Sequence, residues 1–381
     1  MQVKLNTIVA AAVVMLGANA YAQDMVVKIG HVGPTSGGQA HLGKDNENGA
    51  RMAIDELNAK GVTIGGKKAK FELMAEDDGA DPKQGTAVAN KLVDAKVNGV
   101  VGHLNSSTSI PASKIYSDAG IPQITPSSTN PKLTRQGFKT TFRVVADDVH
   151  LGGTLGKYAV KELKGKSVAV IDDRTAYGQG VAEEAIKGIK AAGGSIVDQQ
   201  YTNDKTTDFS AILTAIKSKN PDVVFYGGMD AQAGPMLRQM QQLGIKAKFV
   251  GGDGICTAEL PKLATGVIAD GQVYCAEAGG VDATQQAGMD KFKADYKKKF
   301  GIDVQLYAPY VYDAVNVMVA AMVKAGSSDP KVYLPVMAKT DGYKGVTGNI
   351  SFDEKGDIKN GALTMHTYDK AGKMASLGVV R

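Results

Sequence analysis

Residues 97–131 read VNGVVGHLNSSTSIPASKIYSDAGIPQITPSSTNP, and this stretch contains one complete unit of a parallel β-sheet. The apolar run Val97 to Gly102 predicts a buried strand, Pro111 opens a predicted helix that reaches Ala119, and Ile121 to Thr125 predicts the next strand. A strand, a helix and a second strand in this order form a βαβ unit, whose two strands are parallel. The stretch therefore predicts an α/β fold with helices on both faces of a mostly parallel sheet.

The same alternation extends to both sides of this unit. Before it, predicted strands lie at Val26 to Ile29 and Phe71 to Ala75, and predicted helices at Asp45 to Ala59 and Pro82 to Val93. The rhythm restarts after a loop at residues 130–137. The later predicted helices are Leu151 to Leu163, Val181 to Ala191, Phe209 to Ser218 and Pro235 to Leu243, and the later strands are Val168 to Ile171, Ile196 to Tyr201, Val223 to Tyr226 and Phe249 to Gly251. Two such series predict two α/β domains.

The C-terminal third contains long predicted helices, Asp290 to Phe300 and Tyr310 to Ala325, with too few strands for a third sheet. We expect this segment to return to the first domain, and the strands near Ile350 and Met365 to cross back to the second. Several crossings between two open sheets leave a cleft, and ligands of such sheets bind at the carboxyl ends of the strands. Functional residues are therefore expected in the loops at those ends.

The N-terminus is typical of a secretory signal peptide. Lys4 precedes an apolar stretch from Ile8 to Leu16, and the triplet Ala20-Tyr21-Ala22 predicts cleavage after Ala22. The apolar stretch is half of the ~20 residues that span a bilayer. We expect residues 1–22 to be removed and the mature chain to be exported and soluble, with a retained N-terminal anchor as the alternative.

Composition and charge narrow the class of protein. The chain has 381 residues, of which 43% are hydrophobic and 22% charged, a globular composition long enough for two domains. Lys and Arg number 44 against 39 Asp and Glu, and the small surplus is spread along the chain. Nucleic-acid binders concentrate basic residues in a stripe with stacking aromatics, so we expect no nucleic-acid partner. The absence of Trp argues against a large stacked platform for carbohydrate.

The two cysteines, Cys256 and Cys275, form an even pair in a chain predicted to be exported, which favours a disulfide. Such a bridge closes a loop of about 20 residues and stabilises the fold by ~3 kcal/mol through loop entropy. Two buried free thiols are the alternative, because spacing alone does not show whether the Cα atoms approach within ~7 Å.

Two hydroxyl-rich loops follow neighbouring predicted strands. Residues 103–111 place Ser106 and further hydroxyls immediately before a helix, and residues 126–131 include Ser127 and Thr129. Free N–H groups at a helix start, aided by the helix dipole, bind a carboxylate without a full positive charge. The alternatives are an ordinary N-cap and a Pro/Ser/Asn turn, but two such loops facing one crevice favour an anion site.

A third loop carries a carboxylate. Asp253 follows the predicted strand Phe249 to Gly251 and is flanked by Gly252 and Gly254, which let the backbone approach a ligand closely. Its side chain can accept a charge-assisted hydrogen bond from an ammonium group. A solvated Asp in a glycine turn is the alternative.

Enzyme and metal motifs are missing from the sequence. The chain has no Gly-x-Ser-x-Gly elbow, no P-loop and no Gly-x-Gly-x-x-Gly after the first strand. Its five histidines show no metal-ligand spacing, and Asp77, Asp78 and Asp81 lack the spacing of an EF-hand. We expect no catalytic residue, no cofactor and no metal.

Several short motifs in one order resemble the periplasmic leucine/isoleucine/valine-binding proteins. They are GPTSG at residues 33–37, DPKQ at 81–84, GHLNSSTSIPAS at 102–113, TNPKLT at 129–134, YGQG at 177–180, DFS at 208–210 and FDEKGD at 352–357. The likeness covers nearly the whole mature chain. It implies a type I periplasmic binding fold of two lobes with three crossovers, which delivers amino acids to the permease of an ABC importer and performs no catalysis.

The resemblance also implies a division into lobes. Lobe 1 is expected to comprise residues 24–145 and 276–349, and lobe 2 residues 146–275 and 350–381. A periplasmic monomer that closes around one amino acid is the expected state.

Matched motif by motif, the family's carboxylate-binding serine falls on Ser106, with Leu104 and Asn105 in the pocket wall. The threonine that contacts both the carboxylate and the ammonium falls on Thr129, and the carbonyl that receives the ammonium on Ser127.

The second lobe is implied to supply two more ligand contacts. Tyr177 matches the tyrosine that covers the ligand, and Asp253 stands where the family has an ammonium-binding glutamate. This change keeps the charge on a shorter arm.

The sequence departs from the family at the side-chain end of the pocket. Leu42 and Met229 stand where the branched-chain binders have tyrosines, and Ala80 and Asn105 stand where the family has a first-lobe cysteine pair. Because methionine is flexible and fills irregular gaps, we expect a roomier pocket whose preferred neutral amino acid need not be leucine. The alternatives are a short amide, urea or aromatic acid on the same fold, a ligand sensor, or an exported α/β enzyme.

Overall fold

The computed structural model describes residues 24–281 and 284–380. The predicted signal peptide, residues 1–22, lies outside the described residues. No helix within the described ranges combines the length and apolar composition that crossing a bilayer requires.

The described residues form fifteen strands and eleven α-helices. The strands are β1 (Met25–Gly33), β2 (Thr63–Ile64), β3 (Lys67–Asp77), β4 (Gly99–Gly102), β5 (Gln123–Thr125), β6 (Thr141–Arg143), β7 (Ser167–Asp172), β8 (Ser195–Tyr201), β9 (Val223–Gly227), β10 (Lys248–Gly251), β11 (Val273–Glu277), β12 (Tyr343–Gly345), β13 (Gly348–Ile350), β14 (Leu363–Tyr368) and β15 (Met374–Val380). The helices are α1 (Ala40–Lys60), α2 (Pro82–Asp94), α3 (Ser106–Asp118), α4 (Asp148–Lys161), α5 (Ala176–Ala191), α6 (Ser210–Lys219), α7 (Asp230–Gln242), α8 (Leu260–Leu263), α9 (Gln286–Phe300), α10 (Ala308–Ala325) and α11 (Pro330–Met337).

Two sheets organise the chain. The first has the order β2-β3-β1-β4-β5-β6 and is parallel from β3 to β6. The second has the order β15-β14-β11-β10-β9-β7-β8, parallel from β11 to β8 and antiparallel at β14 and β15. We call the first sheet with α1 to α3 and α10 lobe 1, and the second sheet with α4 to α8 lobe 2. Buried apolar side chains fill the space between sheets and helices, and the predicted α/β fold is confirmed.

The chain passes between the lobes after β6, after β11 and before β14, and these connections lie side by side. The Ala146 amide donates to the Ala278 carbonyl at 2.9 Å, and the Arg143 amide donates to the Gly356 carbonyl at 2.9 Å. The strand β11 continues to Glu277 within the second sheet. The residue boundaries of the lobes drawn from the sequence stay a prediction.

Three helices that begin at the cleft start earlier than predicted. The helix α3 starts at Ser106 rather than at Pro111, α5 at Ala176 rather than at Val181, and α7 at Asp230 rather than at Pro235. Apart from Tyr177, small and polar residues fill these first turns, so the apolar period that marks a helix begins only in the second turn. The correction places several predicted site residues in the first turns of helices, where backbone N–H groups are free.

The predicted disulfide between Cys256 and Cys275 is present. The two Cα atoms lie 5.4 Å apart and both side chains are fully buried. The bridge joins the segment after β10 to β11, and so fixes the loop that carries Asp253 to the neighbouring strand.

Candidate functional site

A small cavity lies between the two lobes. Its lining residues are Leu104, Asn105, Ser106, Ser127, Tyr177, Met229, Asp253 and Tyr307. All of these except Tyr307 are among the predicted site residues. Residues far apart in the sequence are thus brought together at the carboxyl ends of the strands, as parallel α/β sheets require.

The lobe 1 side of the cavity offers hydrogen-bond donors. Asn105 is the N-cap of α3 and Ser106 its first residue, so the free N–H groups of the first turn lie at the cavity. The Ser106 hydroxyl accepts from the Asn130 amide at 3.2 Å, which leaves its own proton free to donate. Thr129 is fully buried and is not among the residues that line the cavity, and its hydroxyl has no well-aligned partner among the described residues. This end of the cavity suits a carboxylate.

The loop that carries Ser127 and Thr129 is held by a buried charge. The guanidinium of Arg143 donates to the Ser128 carbonyl at 3.1 Å and to the Asn130 carbonyl at 2.9 Å. It also pairs with the carboxylate of Asp357, and Arg143 is fully buried. Carbonyls on both sides of Thr129 are therefore fixed.

The Ser127 side chain connects the two hydroxyl-rich loops. Its hydroxyl donates to the Leu104 carbonyl at 3.0 Å. The Ser127 carbonyl, predicted to receive an ammonium, accepts no hydrogen bond from the rest of the described chain.

The lobe 2 side of the cavity contains a buried carboxylate. Asp253 is 1% exposed, and the Tyr307 hydroxyl donates to its Oδ2 at 2.8 Å. Its Oδ1 has no hydrogen-bond partner within the part of the chain that the structure describes. Burial raises the pKa of Asp253 to about 6, while hydroxyls of Tyr177 and Tyr307 favour the charged form. Near neutral pH this carboxylate is ionised and suits a cation.

The Tyr177 side chain is held against the Asp253 loop. The hydroxyl of Tyr177 accepts from the Gly254 amide at 2.9 Å, and the ring is 6% exposed. Thr175 caps the helix that carries it, because the Thr175 hydroxyl accepts from the Gly178 amide at 2.9 Å.

A second buried carboxylate, Asp148, lies behind Thr129 and was not predicted. The Asp148 amide donates to the Thr129 carbonyl at 2.9 Å. Burial raises the pKa of Asp148 well above its ordinary value; the Thr129 hydroxyl opposes this rise and the charge of Asp253 adds to it. Its place beside Asp147 at the start of α4 resembles ordinary helix capping, so the sequence carried no separate signal for it.

Tyr307 was also missed, because its position depends on a contact remote in sequence. The buried carboxylate of Asp45 accepts from the amides of Leu306 and Tyr307, at 3.0 and 2.9 Å, at the start of α10. Pro309 lies within the first turn of that helix. Because proline is common at the first positions of helices, Pro309 could have shown from the sequence that the helix begins before Tyr310.

The two predicted side-chain determinants lie in different positions. Met229 is the N-cap of α7, 4% exposed, and lines the cavity. Leu42 is fully buried in α1 and is not part of the cavity lining.

Direct contacts join the lobes around the cavity. The Asn130 side chain donates to the Ala176 carbonyl at 2.6 Å, and the Ala176 amide donates to the Ser107 hydroxyl at 3.2 Å. Together with the Tyr307 to Asp253 bond, they hold the lobes in a closed arrangement.

Comparison with known proteins gives consistent results. The sequence model of a family described as "Periplasmic binding protein" matches residues 26–373. The Leu/Ile/Val-binding protein homolog 1 of Brucella abortus is 38% identical over 363 residues, which cover 94% of each chain. The leucine-, isoleucine-, valine-, threonine-, and alanine-binding protein of Pseudomonas aeruginosa is 36% identical over 94% of this chain and 95% of its own. The solved structure of LivJ from Streptococcus pneumoniae, a branched-chain amino acid transporter substrate binding protein in complex with isoleucine, has a TM-score of 0.83 and 29% identity, and the match covers 93% of this chain and 99% of LivJ.

Proposed function

The chain belongs to the periplasmic binding protein family, and from this premise we propose that it captures a neutral L-amino acid between its lobes and delivers it to the permease of an ABC importer. The proposal includes a periplasmic location, a monomer, the lobe boundaries given above and the absence of catalysis. The relatives described above are binding proteins by name, in agreement with a transport role.

One observation carries the proposal: the two ends of the cavity prefer opposite charges and belong to different lobes. Ser106, Thr129 and the free N–H groups of α3 favour a carboxylate on lobe 1, and the Ser127 carbonyl accepts beside them. Asp253 on lobe 2 favours an ammonium. An α-amino acid carries both groups on one carbon, so a single zwitterion satisfies both ends. A ligand that touches both lobes stabilises the closed arrangement to the extent that it binds that arrangement more tightly.

The rest of the lining supports a neutral side chain. Leu104, Met229 and the ring of Tyr177 are buried and apolar, and a charged side chain placed against them would lose its hydration without gaining a partner. The Pseudomonas aeruginosa relative is named for binding threonine and alanine besides the branched-chain amino acids. We therefore propose leucine, isoleucine, valine and small neutral amino acids as the substrate class.

A ligand screen on refolded, ligand-free protein tests this function. We expect neutral amino acids to raise the melting temperature, because a ligand at about 100 times its Kd stabilises the native state by ~2.7 kcal/mol. Calorimetry on the positive ligands then gives their affinities. Silence across all natural amino acids, after verified ligand removal, contradicts the proposal; the same screen with short amides, urea and aromatic acids then tests the alternative ligands.

A further inference from the structure

A histidine and an aspartate meet across the two lobes, outside the cavity. His41 lies in the first turn of α1 on lobe 1, and Asp230 is the first residue of α7 on lobe 2. The His41 Nε2 lies 2.8 Å from the Asp230 Oδ2. Neither residue lines the cavity or was predicted to touch the ligand. Because the two residues belong to different lobes, this contact exists only when the lobes are together.

The carboxylate of Asp230 is buried and only partly satisfied by hydrogen bonds. Its side chain is fully buried, while that of His41 is 23% exposed. The Thr257 hydroxyl donates to the same Oδ2 at 2.6 Å, and the N-terminal end of α7 adds its positive dipole. The Asp230 Oδ1 has no hydrogen-bond partner in the described ranges. Separating the lobes removes the only cationic side chain seen bonded to this carboxylate among the described residues.

The surroundings of His41 favour its protonated form. Asp230 faces the ring from α7, Glu259 faces it from the segment before α8, and Asp45 lies on the same helix. The ammonium of Lys262 is engaged with Glu259 at 2.6 Å. Burial opposes charging of the ring, yet the hydrogen bond and charge of Asp230, with the two other carboxylates, raise the pKa of His41 above its ordinary value.

We propose that His41 and Asp230 form a pH-dependent latch that holds the lobes closed, so that His41 is a positioning residue for ligand capture without touching the ligand. Protonation converts the contact into a charge-assisted pair, which is stronger than the neutral hydrogen bond. A larger closed population tightens binding, because the apparent Kd equals the intrinsic Kd divided by the fraction of protein in the competent state. The effect on affinity rests on the proposed function; the effect on closure does not.

The direction of the pH effect follows from the raised pKa. The latch is complete below the ordinary histidine pKa of 6.5 and is lost as pH rises through the raised value in the closed state. Closure therefore takes up protons near neutral pH.

Two variants and one control test the latch. The change His41→Gln keeps a side chain that can donate to Asp230 but cannot titrate, and Asp230→Asn removes the charge from the other side. The change His150→Gln is the matched control, because it removes a half-buried histidine on α4 whose Nε2 makes no hydrogen bond within the described residues. Calorimetry gives the affinity for the best amino acid from pH 6 to 8.5, and small-angle X-ray scattering gives the compactness of ligand-free protein at the same pH values.

We expect wild type and His150→Gln to bind about five- to tenfold more weakly at pH 8.5 than at pH 7, the size expected of one partly buried charged pair. The affinities of His41→Gln and Asp230→Asn should not fall between these pH values. In scattering, ligand-free wild type should become less compact as pH rises, whereas the two variants should not change. If the variants follow the wild-type curve in affinity and in scattering alike, the latch is overturned. If neither wild type nor any variant binds an amino acid at any pH, the proposed function fails. The scattering comparison alone then decides whether the latch exists.

Discussion

At the scale of single residues, the proposed ammonium end of the cavity depends on how one carboxylate is oriented. The Tyr307 hydroxyl, from lobe 1, donates to Oδ2 of Asp253 and so orients its short side chain, while Oδ1 has no partner among the described residues. The side chain of Asp253 is buried at 1% exposure, so its charge is poorly solvated and gains most from a bound ammonium.

Amino-acid affinity should therefore fall at low pH. As pH decreases through the Asp253 pKa of about 6, the carboxylate becomes protonated and loses its attraction for the ammonium. In the His41→Gln background, which removes the other titration, we expect constant affinity above this pH and progressive loss below it by calorimetry. Asp253→Asn should bind the amino acid at least ~2 kcal/mol more weakly at neutral pH. Its affinity should not fall further as the pH is lowered. If the affinity of Asp253→Asn still falls at low pH, a group other than Asp253 is responsible for the pH dependence.

At the scale of elements, a buried arginine couples strand β6 to the loop that carries Ser127 and Thr129. Arg143 ends β6, bonds the Ser128 and Asn130 carbonyls, and pairs with Asp357 in the connection that precedes β14. Arg143 thus links the strand, the loop that carries Ser127 and Thr129, and one connection between the lobes. Removing the charge takes the donor from the Ser128 carbonyl and leaves the Asp357 carboxylate without its fully buried cationic partner.

Replacement of this arginine should cost much more stability than replacement of its neighbour. We expect Arg143→Met to lower the free energy of unfolding by ~3 to 5 kcal/mol, the range for breaking a buried ion pair from one side. Arg135→Met is the control: Arg135 is 37% exposed and pairs with Asp147 and Asp357, so its loss should be under ~1 kcal/mol. Urea unfolding at neutral pH measures both. Equal losses for the two variants would contradict a special role of the buried site.

At the scale of the whole molecule, closure follows from where the connections lie. They pass side by side, with backbone bonds between Ala146 and Ala278 and between Arg143 and Gly356, so we expect rotation there to move one lobe as a body against the other. The cavity lies between the surfaces of the two lobes that such a rotation would bring together. A bound amino acid that touches both lobes should therefore stabilise a more compact shape.

Scattering with and without the amino acid checks this expectation. Wild type should show a smaller radius of gyration when saturated, because closure excludes water from the cleft. Asp253→Asn at the same ligand concentration should stay closer to its ligand-free value. Identical curves for liganded and free wild type would mean that the ligand does not change the closed population.

Much of the site was accessible from sequence motifs, yet several of its supports were not. Local runs of residues marked Ser106, Ser127 and Asp253, because loops after strands carry recognisable hydroxyls and carboxylates. Tyr307 and Asp148 could not be placed in this way, since their relation to the cavity depends on contacts with Asp45 and Thr129 that are remote along the chain. The starts of α3, α5 and α7 were missed for a different reason: their first turns lack the apolar period.

The sequence by itself determined the α/β alternation, the positions of most strands and helices, the disulfide partners and the family, because each of these depends on local periodicity, on a single pair of cysteines or on ordered short motifs. Only the tertiary structure decided which loops face each other. Residues such as His41 and Asp230 acquire a joint property only when two separately folded surfaces meet, and no local pattern encodes the distance between them. The physical reason is that a hydrogen bond needs its two atoms within about 3 Å, while the chain segments that carry these groups are arranged by the packing of two distant cores.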